Sequence, residues 1–140
     1  MTGWIALVAA TAVSGAVGLL WRSLNGRMRA VGSAAALATD DLVALGIEPG
    51  ARATLVQFSS AFCAPCRATR RVLSDVADMV PGVAYAEIDA ESNLDLVRRF
   101  NVLRTPTVLV VDRDGRLLKR ASGQPRKADV IAALAPLVAS

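Results

Sequence analysis

Eighteen consecutive residues near the N-terminus, Trp4 to Trp21 (WIALVAATAVSGAVGLLW), carry no charge. At ~1.5 Å per residue a helix of that length covers about 27 Å, close to the ~30 Å hydrocarbon core of a bilayer. Burying such a helix inside a protein takes a surrounding domain that a chain of 140 residues does not supply. The run therefore divides the sequence into an apolar segment and one domain of about 100 residues, enough for a single core. Tryptophan at both ends suits the aromatic belts of the two membrane interfaces. Residues 1–21, with the span itself at about 4–21, read as an uncleaved membrane anchor. A cleaved leader is the alternative, because SAAALA (33–38) is small enough to cut. Against it, MTG lacks a positive n-region, and three arginines would precede the cleavage site.

Those arginines, Arg22, Arg27 and Arg29, all lie on the C-terminal flank, so the positive-inside rule puts the domain on the cytoplasmic side. An extracytoplasmic domain is the competing arrangement. Residues 22–38 read as a basic juxtamembrane stretch followed by a small-residue linker. Its arginines suit anionic lipid, at about 1 kcal/mol each. From residue 37 onward 13 Lys/Arg stand against 12 Asp/Glu, a balance with no nucleic-acid footprint. The chain has no histidine. That removes His-based acid–base catalysis, His-activated nucleophiles and imidazole metal sites.

From Thr39 the pattern breaks into short periodic elements. TDDLVALG suggests a short helix with Thr39 or Asp40 as cap and Gly46 as stop. ATLVQFSS is apolar and β-branched, a buried strand over about 54–58. Apolar residues at 68, 72, 73, 76, 79 and 80 mark an amphipathic helix ended by Pro81-Gly82. VAYAEID (83–89) is a second strand, and Ser92 or Asn93 caps a helix running through Phe100. A third strand starts at Thr107, DRDG (112–115) turns, and RLLKRA returns as a fourth. Pro125 suits a first helical position, opening a last helix from about Arg126 that Pro136 should kink or shorten. Strands alternating with helices, then a hairpin, mean an α/β domain over 39–140 with a mixed central sheet flanked by helices.

Both cysteines fall in SSAFCAPCRAT (59–69). A structural zinc site needs four Cys or His ligands, and the chain has two cysteines and no histidine. A purely structural bridge would close too short a loop to add much stability. The redox reading has a mechanism. Cys63 ends a strand-to-helix turn, with the helix starting at about Ala64. A thiolate there meets unpaired N–H groups and the positive helix end, which lower its pKa. Pro65 tolerates a first-turn position without a donor, and Cys66 falls one turn along. Arg67, Arg70 and Arg71 add positive potential, although a solvated helix face is the plainer role for them.

Phe62-Cys63-Ala64-Pro65-Cys66-Arg67 after an apolar strand resembles the active site of the thioredoxin family, usually Trp-Cys-Gly-Pro-Cys-Lys. The similarity spans roughly 50–140: AEIDAESNLDLVRRFNVLRTPTVLVVDRDG resembles the family's strand, helix, Thr-Pro-Thr, strand and turn, and Gly123 sits where the family keeps a glycine. The resemblance implies a thioredoxin-like fold and a thiol–disulfide oxidoreductase. Cys63 would then be the exposed nucleophile and Cys66 the resolving thiol. Pro106 would be a cis-proline facing the pair, and Thr105 would offer backbone hydrogen bonds to a substrate chain. Phe62, Ala64 and Pro65 would form the docking surface. No cofactor or metal is implied. The implied partners are a disulfide-bearing protein and a reductase or membrane electron donor. Ala64-Pro65 is close to the family's Gly-Pro, which leans towards a reducing potential.

The sequence departs from the family in the residues that support the pair. Gln57 and Ser59 stand where an aspartate and a tryptophan are usual, and Tyr85 aligns with the lysine that accompanies that aspartate. Gln57 cannot accept a proton, so resolution is expected to be slower than in a standard thioredoxin. The opening strand and helix of the fold are also abbreviated. A membrane-tethered reductase of protein disulfides is the reading favoured by charge placement. Two others remain: an extracytoplasmic reductase of envelope or cytochrome thiols, and a non-catalytic redox sensor or adapter suggested by the missing acid.

Overall fold

The computed structural model describes residues 2–32 and 36–139, so part of SAAALA lies outside the described residues. Helix α1 (Thr2–Leu24) takes in the whole uncharged run and is exposed from Gly3 to Leu24. By length and composition it can cross a bilayer, a test that a signal sequence also passes. The chain then turns at Gly26 (φ +74°) into a two-residue strand β1 (Arg29–Ala30). The stretch expected as a linker thus supplies a sheet edge, because β1 pairs antiparallel with β5 (Leu117–Ser122).

Helix α2 (Thr39–Ala44) follows, capped by Ala38 with no side-chain bond, so neither Thr39 nor Asp40 takes the capping role expected. Gly46 (φ +73°) ends the turn in the left-handed region that glycine tolerates. β2 (Ala53–Ser59) is buried at every residue, since it runs between β3 (Val83–Asp89) and β4 (Thr107–Asp112). The sheet order is β1-β5-β4-β2-β3, with β2 parallel to β3 and the other pairs antiparallel. This is the mixed sheet expected, with the abbreviated opening reduced to β1 and α2. Helix α3 (Ala64–Met79) is amphipathic, α4 (Leu94–Arg99) is short, and α5 (Lys127–Val138) starts after Pro125 rather than on it. Pro136 falls in the last turn of α5 and does not end it. Asn93 is the cap residue of α4, but its amide turns back to the Asp89 carbonyl.

Strand periodicity sends alternate side chains to two cores. Ala53 and Leu55 join Leu73 and Val76 of α3 with Val130, Ala133 and Leu134 of α5. Val56 and Phe58 face the other way, to Leu37, Leu42, Phe100 and Val102. Phe58 and Phe100 pack there as a tilted pair, 6.4 Å between ring centres. Gln57 and Ser59 share the parity of Leu55, so both aim at the α3 side, under the cysteines.

Candidate active site

β2 ends at Ser59 and α3 begins at Ala64, and the turn between them carries Cys63 as the cap residue of the helix. Cys63 Sγ accepts the Cys66 backbone N–H at 3.2 Å, so the sulfur sits where a helix offers an unpaired donor. The two cysteines are joined as a disulfide. Cys63 is 8% exposed and Cys66 1%. The nucleophile expected to be exposed therefore shows only an edge of its surface, though more than its partner. Ala64 and Pro65 lie exposed on the first turn, and Phe62 is wholly outside the core at 102%.

Across the sheet, Phe58 pairs with Thr107 and Thr107 with Ser122. The cysteine turn, the Thr105–Pro106 turn and the end of β5 therefore share one edge of the sheet. The Thr105–Pro106 peptide is cis, Pro106 is buried, and Thr105 Oγ1 meets Ser60 Oγ at 3.0 Å. The Pro106 carbonyl accepts the Gly123 N–H at 2.7 Å.

Beneath the cysteines lies a connected polar group. Gln57 is fully buried, and its Nε2 donates to the Cys66 carbonyl at 2.9 Å. A carbonyl only accepts, so this bond fixes the amide with Oε1 turned away, towards the Tyr85 hydroxyl at 3.0 Å. The same hydroxyl lies 3.2 Å from Glu87 Oε2. Ser59 Oγ donates to Glu87 Oε1 at 2.6 Å, and Arg70 holds both carboxylate oxygens in a fork, each bond 2.6 Å. Gln57, Ser59 and Tyr85, three residues that depart from the family's usual pattern, thus meet Glu87 directly or through one bond. Arg70, read as a solvated face, is the cationic half of this group; Arg67 stays exposed.

Charges follow from these contacts. The Arg70 hydrogen bonds hold the Glu87 carboxyl below its ordinary range, against the opposing effect of burial and with help from Ser59 and Tyr85. Burial, then the Glu87 charge, push the Tyr85 hydroxyl well above its ordinary value, so it stays protonated at neutral pH. The group under Cys66 is therefore a fixed set of donors and acceptors, with its negative charge held by Arg70. Sequence reasoning missed Glu87, although a signal was present. It lies two residues after Tyr85, on the same face of β3, and pairs in register with Gln57.

A disulfide capping a helix, a cis-proline turn on the same sheet edge and a mixed sheet between helices define a thiol–disulfide oxidoreductase built on the thioredoxin fold. The chain belongs to the thioredoxin family: the family model described as Thioredoxin matches residues 42–136. The thioredoxin of Mycobacterium tuberculosis is 30% identical over 107 residues, covering 76% of this chain and 91% of that one. The thioredoxin of Mycolicibacterium smegmatis is 30% identical over 103 residues, covering 71% and 90%. Among solved structures, the thioredoxin of Fasciola hepatica superposes with a TM-score of 0.58 at 25% identity, covering 72% of this chain and 95% of that one. The thioredoxin of Trypanosoma brucei brucei gives 0.59 at 20% identity, covering 80% and 96%, a likeness of fold alone. Helix α1 precedes the matched segment.

Proposed function

We propose that this chain is a membrane-tethered thiol–disulfide oxidoreductase that reduces protein disulfides, held by α1 with its domain on the cytoplasmic side. The observation that carries the chemistry is the Cys63 sulfur capping α3, where it accepts the Cys66 N–H. In the reduced chain that N–H and the helix end stabilise a Cys63 thiolate. The thiolate attacks one sulfur of a substrate disulfide, forming a Cys63–substrate bond and releasing one substrate thiolate. The Cys66 thiolate then attacks Cys63 Sγ and releases the second. Two electrons pass to the substrate, the chain ends as the Cys63–Cys66 disulfide, and solvent carries the protons to the new thiols. A dithiol donor, soluble or in the membrane, restores the reduced pair. Phe62, Ala64, Pro65 and Thr105 form the surface on which the substrate chain lies, against buried Pro106.

The tether rests on α1, which is apolar, bounded by Trp4 and Trp21, and exposed along its length. The test has two parts. Cys63→Ser is expected to abolish reduction of insulin, and Cys66→Ser to accumulate a mixed disulfide on Cys63. An adapter without turnover would lose nothing in either variant. A topology reporter fused after Ser140 should be active on the cytoplasmic side, and activity outside would reverse the orientation.

A further inference from the structure

Helix α1 enters the domain at the edge that carries the dithiol. Gly26 N–H donates to the Ser122 carbonyl at 2.9 Å, and Arg104 Nη2 bridges Asn25 Oδ1 at 2.6 Å and the same carbonyl at 2.7 Å. The approach is too close for side chains: a methyl on Gly26 would sit 1.9 Å from the Gln124 oxygen, and one on Gly123 2.3 Å from Asn25 Oδ1. Ser122 pairs with Thr107 and Thr107 with Phe58. At ~4.8 Å between strands, the helix junction, one spacing outside β5, lies about 14 Å along that edge from the strand leading into Cys63. Trp21, where the apolar run ends, is only about 6 Å of helix before Asn25.

The same edge bears two unpartnered apolar side chains, Phe62 at 102% exposure and Leu103 at 85%. Beside it, Arg22, Arg27 and Arg29 are exposed and form no ion pair among the described residues. Cations next to an apolar rim match the phosphate layer and acyl boundary of a bilayer. The opposite end of the sheet, at Arg113 in the β4–β5 turn, lies about 20 Å away.

Resting on the anchor reading above, we propose that the dithiol edge faces the membrane that holds α1. Its substrate is a disulfide carried by an integral membrane protein at the level of the lipid headgroups. Phe62 and Leu103 dock on that protein's interfacial segment while the arginines hold the flanking phosphates.

The full chain in phosphatidylcholine–phosphatidylglycerol vesicles tests this. A fluorophore is placed at Phe62→Cys or Arg113→Cys in a Cys63→Ser/Cys66→Ser background, with a nitroxide on the lipid headgroups. Quenching severalfold stronger at position 62 than at 113 is expected. Equal quenching, or stronger quenching at 113, overturns the membrane-facing arrangement while leaving the anchor intact. Failure of the chain to float with vesicles overturns both. In a second arm the reduced wild-type chain meets one disulfide loop on a transmembrane peptide, either at the headgroups or raised about 30 Å on a helical spacer. Reduction about tenfold faster at the headgroups is expected from the higher effective concentration there. Equal rates, or equal reduction of the same loop as a soluble peptide, overturn the choice of substrate.

Discussion

The rim of the active site and the floor beneath it are built on opposite terms. At the rim, the side chains of Phe62, Ala64 and Pro65 are exposed. On the floor, Gln57 is fully buried and every polar atom of its amide is spoken for, by Cys66 and Tyr85. On the function proposed above, a side chain at the rim answers to the substrate, whereas one on the floor answers first to folding, because an unpaired buried polar group costs about 1–3 kcal/mol. The two halves should therefore respond to substitution in different measurements.

The largest effect is expected from Gln57→Glu, which keeps the shape and changes the proton. The protonated acid reproduces the amide, donating to the Cys66 carbonyl and accepting from Tyr85. The carboxylate sets an oxygen against that carbonyl. Full burial raises such a carboxyl by about 3 pKa units, or about 4 kcal/mol at 1.36 kcal/mol per unit. The sign follows from the raised value: folded stability is near wild type below the unfolded pKa of about 4.3 and falls as pH rises towards the folded one. Urea unfolding at pH 5 and pH 8 reads the difference. The same variant should resolve the Cys63 mixed disulfide faster than wild type at pH 8, with a new inflection in the pH profile. Slower or unchanged resolution would show that the fixed amide does not limit that step.

Tyr85→Phe comes next. It leaves Gln57 Oε1 buried without its donor, for a loss of about 1–2 kcal/mol in urea midpoint stability. It also removes an alkaline component. The Tyr85 hydroxyl is raised above its ordinary value by burial and by Glu87, so its share of stability is present below about pH 10 and lost above it. The variant's stability should fall less between pH 9 and 11 than that of wild type.

Glu87→Gln should cost less at neutral pH, about 0.5–1 kcal/mol, because Arg70 is half exposed and water screens the pair. Its clearer mark is at low pH. The Glu87 carboxyl is held below its ordinary range by the Arg70 hydrogen bonds, so its contribution is full above about pH 4.3 and lost as pH falls through the folded value. The acid limb of the stability curve should flatten in the variant, and an unchanged limb would remove Glu87 from the floor's electrostatics.

These residues also mark where the sequence is legible. The mixed sheet and the place of the dithiol follow from alternation, turn chemistry and the CxxC pair, all local patterns, while the Thr-Pro-Thr turn follows from the resemblance to the family. The departures at Gln57, Ser59 and Tyr85 are visible as departures. Their joint meaning is not, because Glu87 reads as one more charge in VAYAEID until β3 is laid parallel to β2 with Gln57 opposite it. Register between strands some 30 residues apart is a tertiary fact. The same holds for Arg29–Ala30, whose two residues carry no strand period and are fixed only by β5.

Phe62→Ser is the smallest expected change in stability and the cleanest separation of rim from floor. At 102% exposure the ring gives up no buried contact on truncation, so unfolding should shift by no more than about 0.5 kcal/mol. An apolar ring left in water beside the nucleophile adds area only when a substrate covers it. Losing that area weakens substrate binding without touching the sulfur chemistry. KM for a protein disulfide should therefore rise several-fold with kcat nearly constant, while reaction of Cys63 with a small acyclic disulfide such as 2-hydroxyethyl disulfide stays at the wild-type rate. An equal fall in both rates would place Phe62 in the structure of the dithiol turn, and the division between rim and floor would have to be redrawn there.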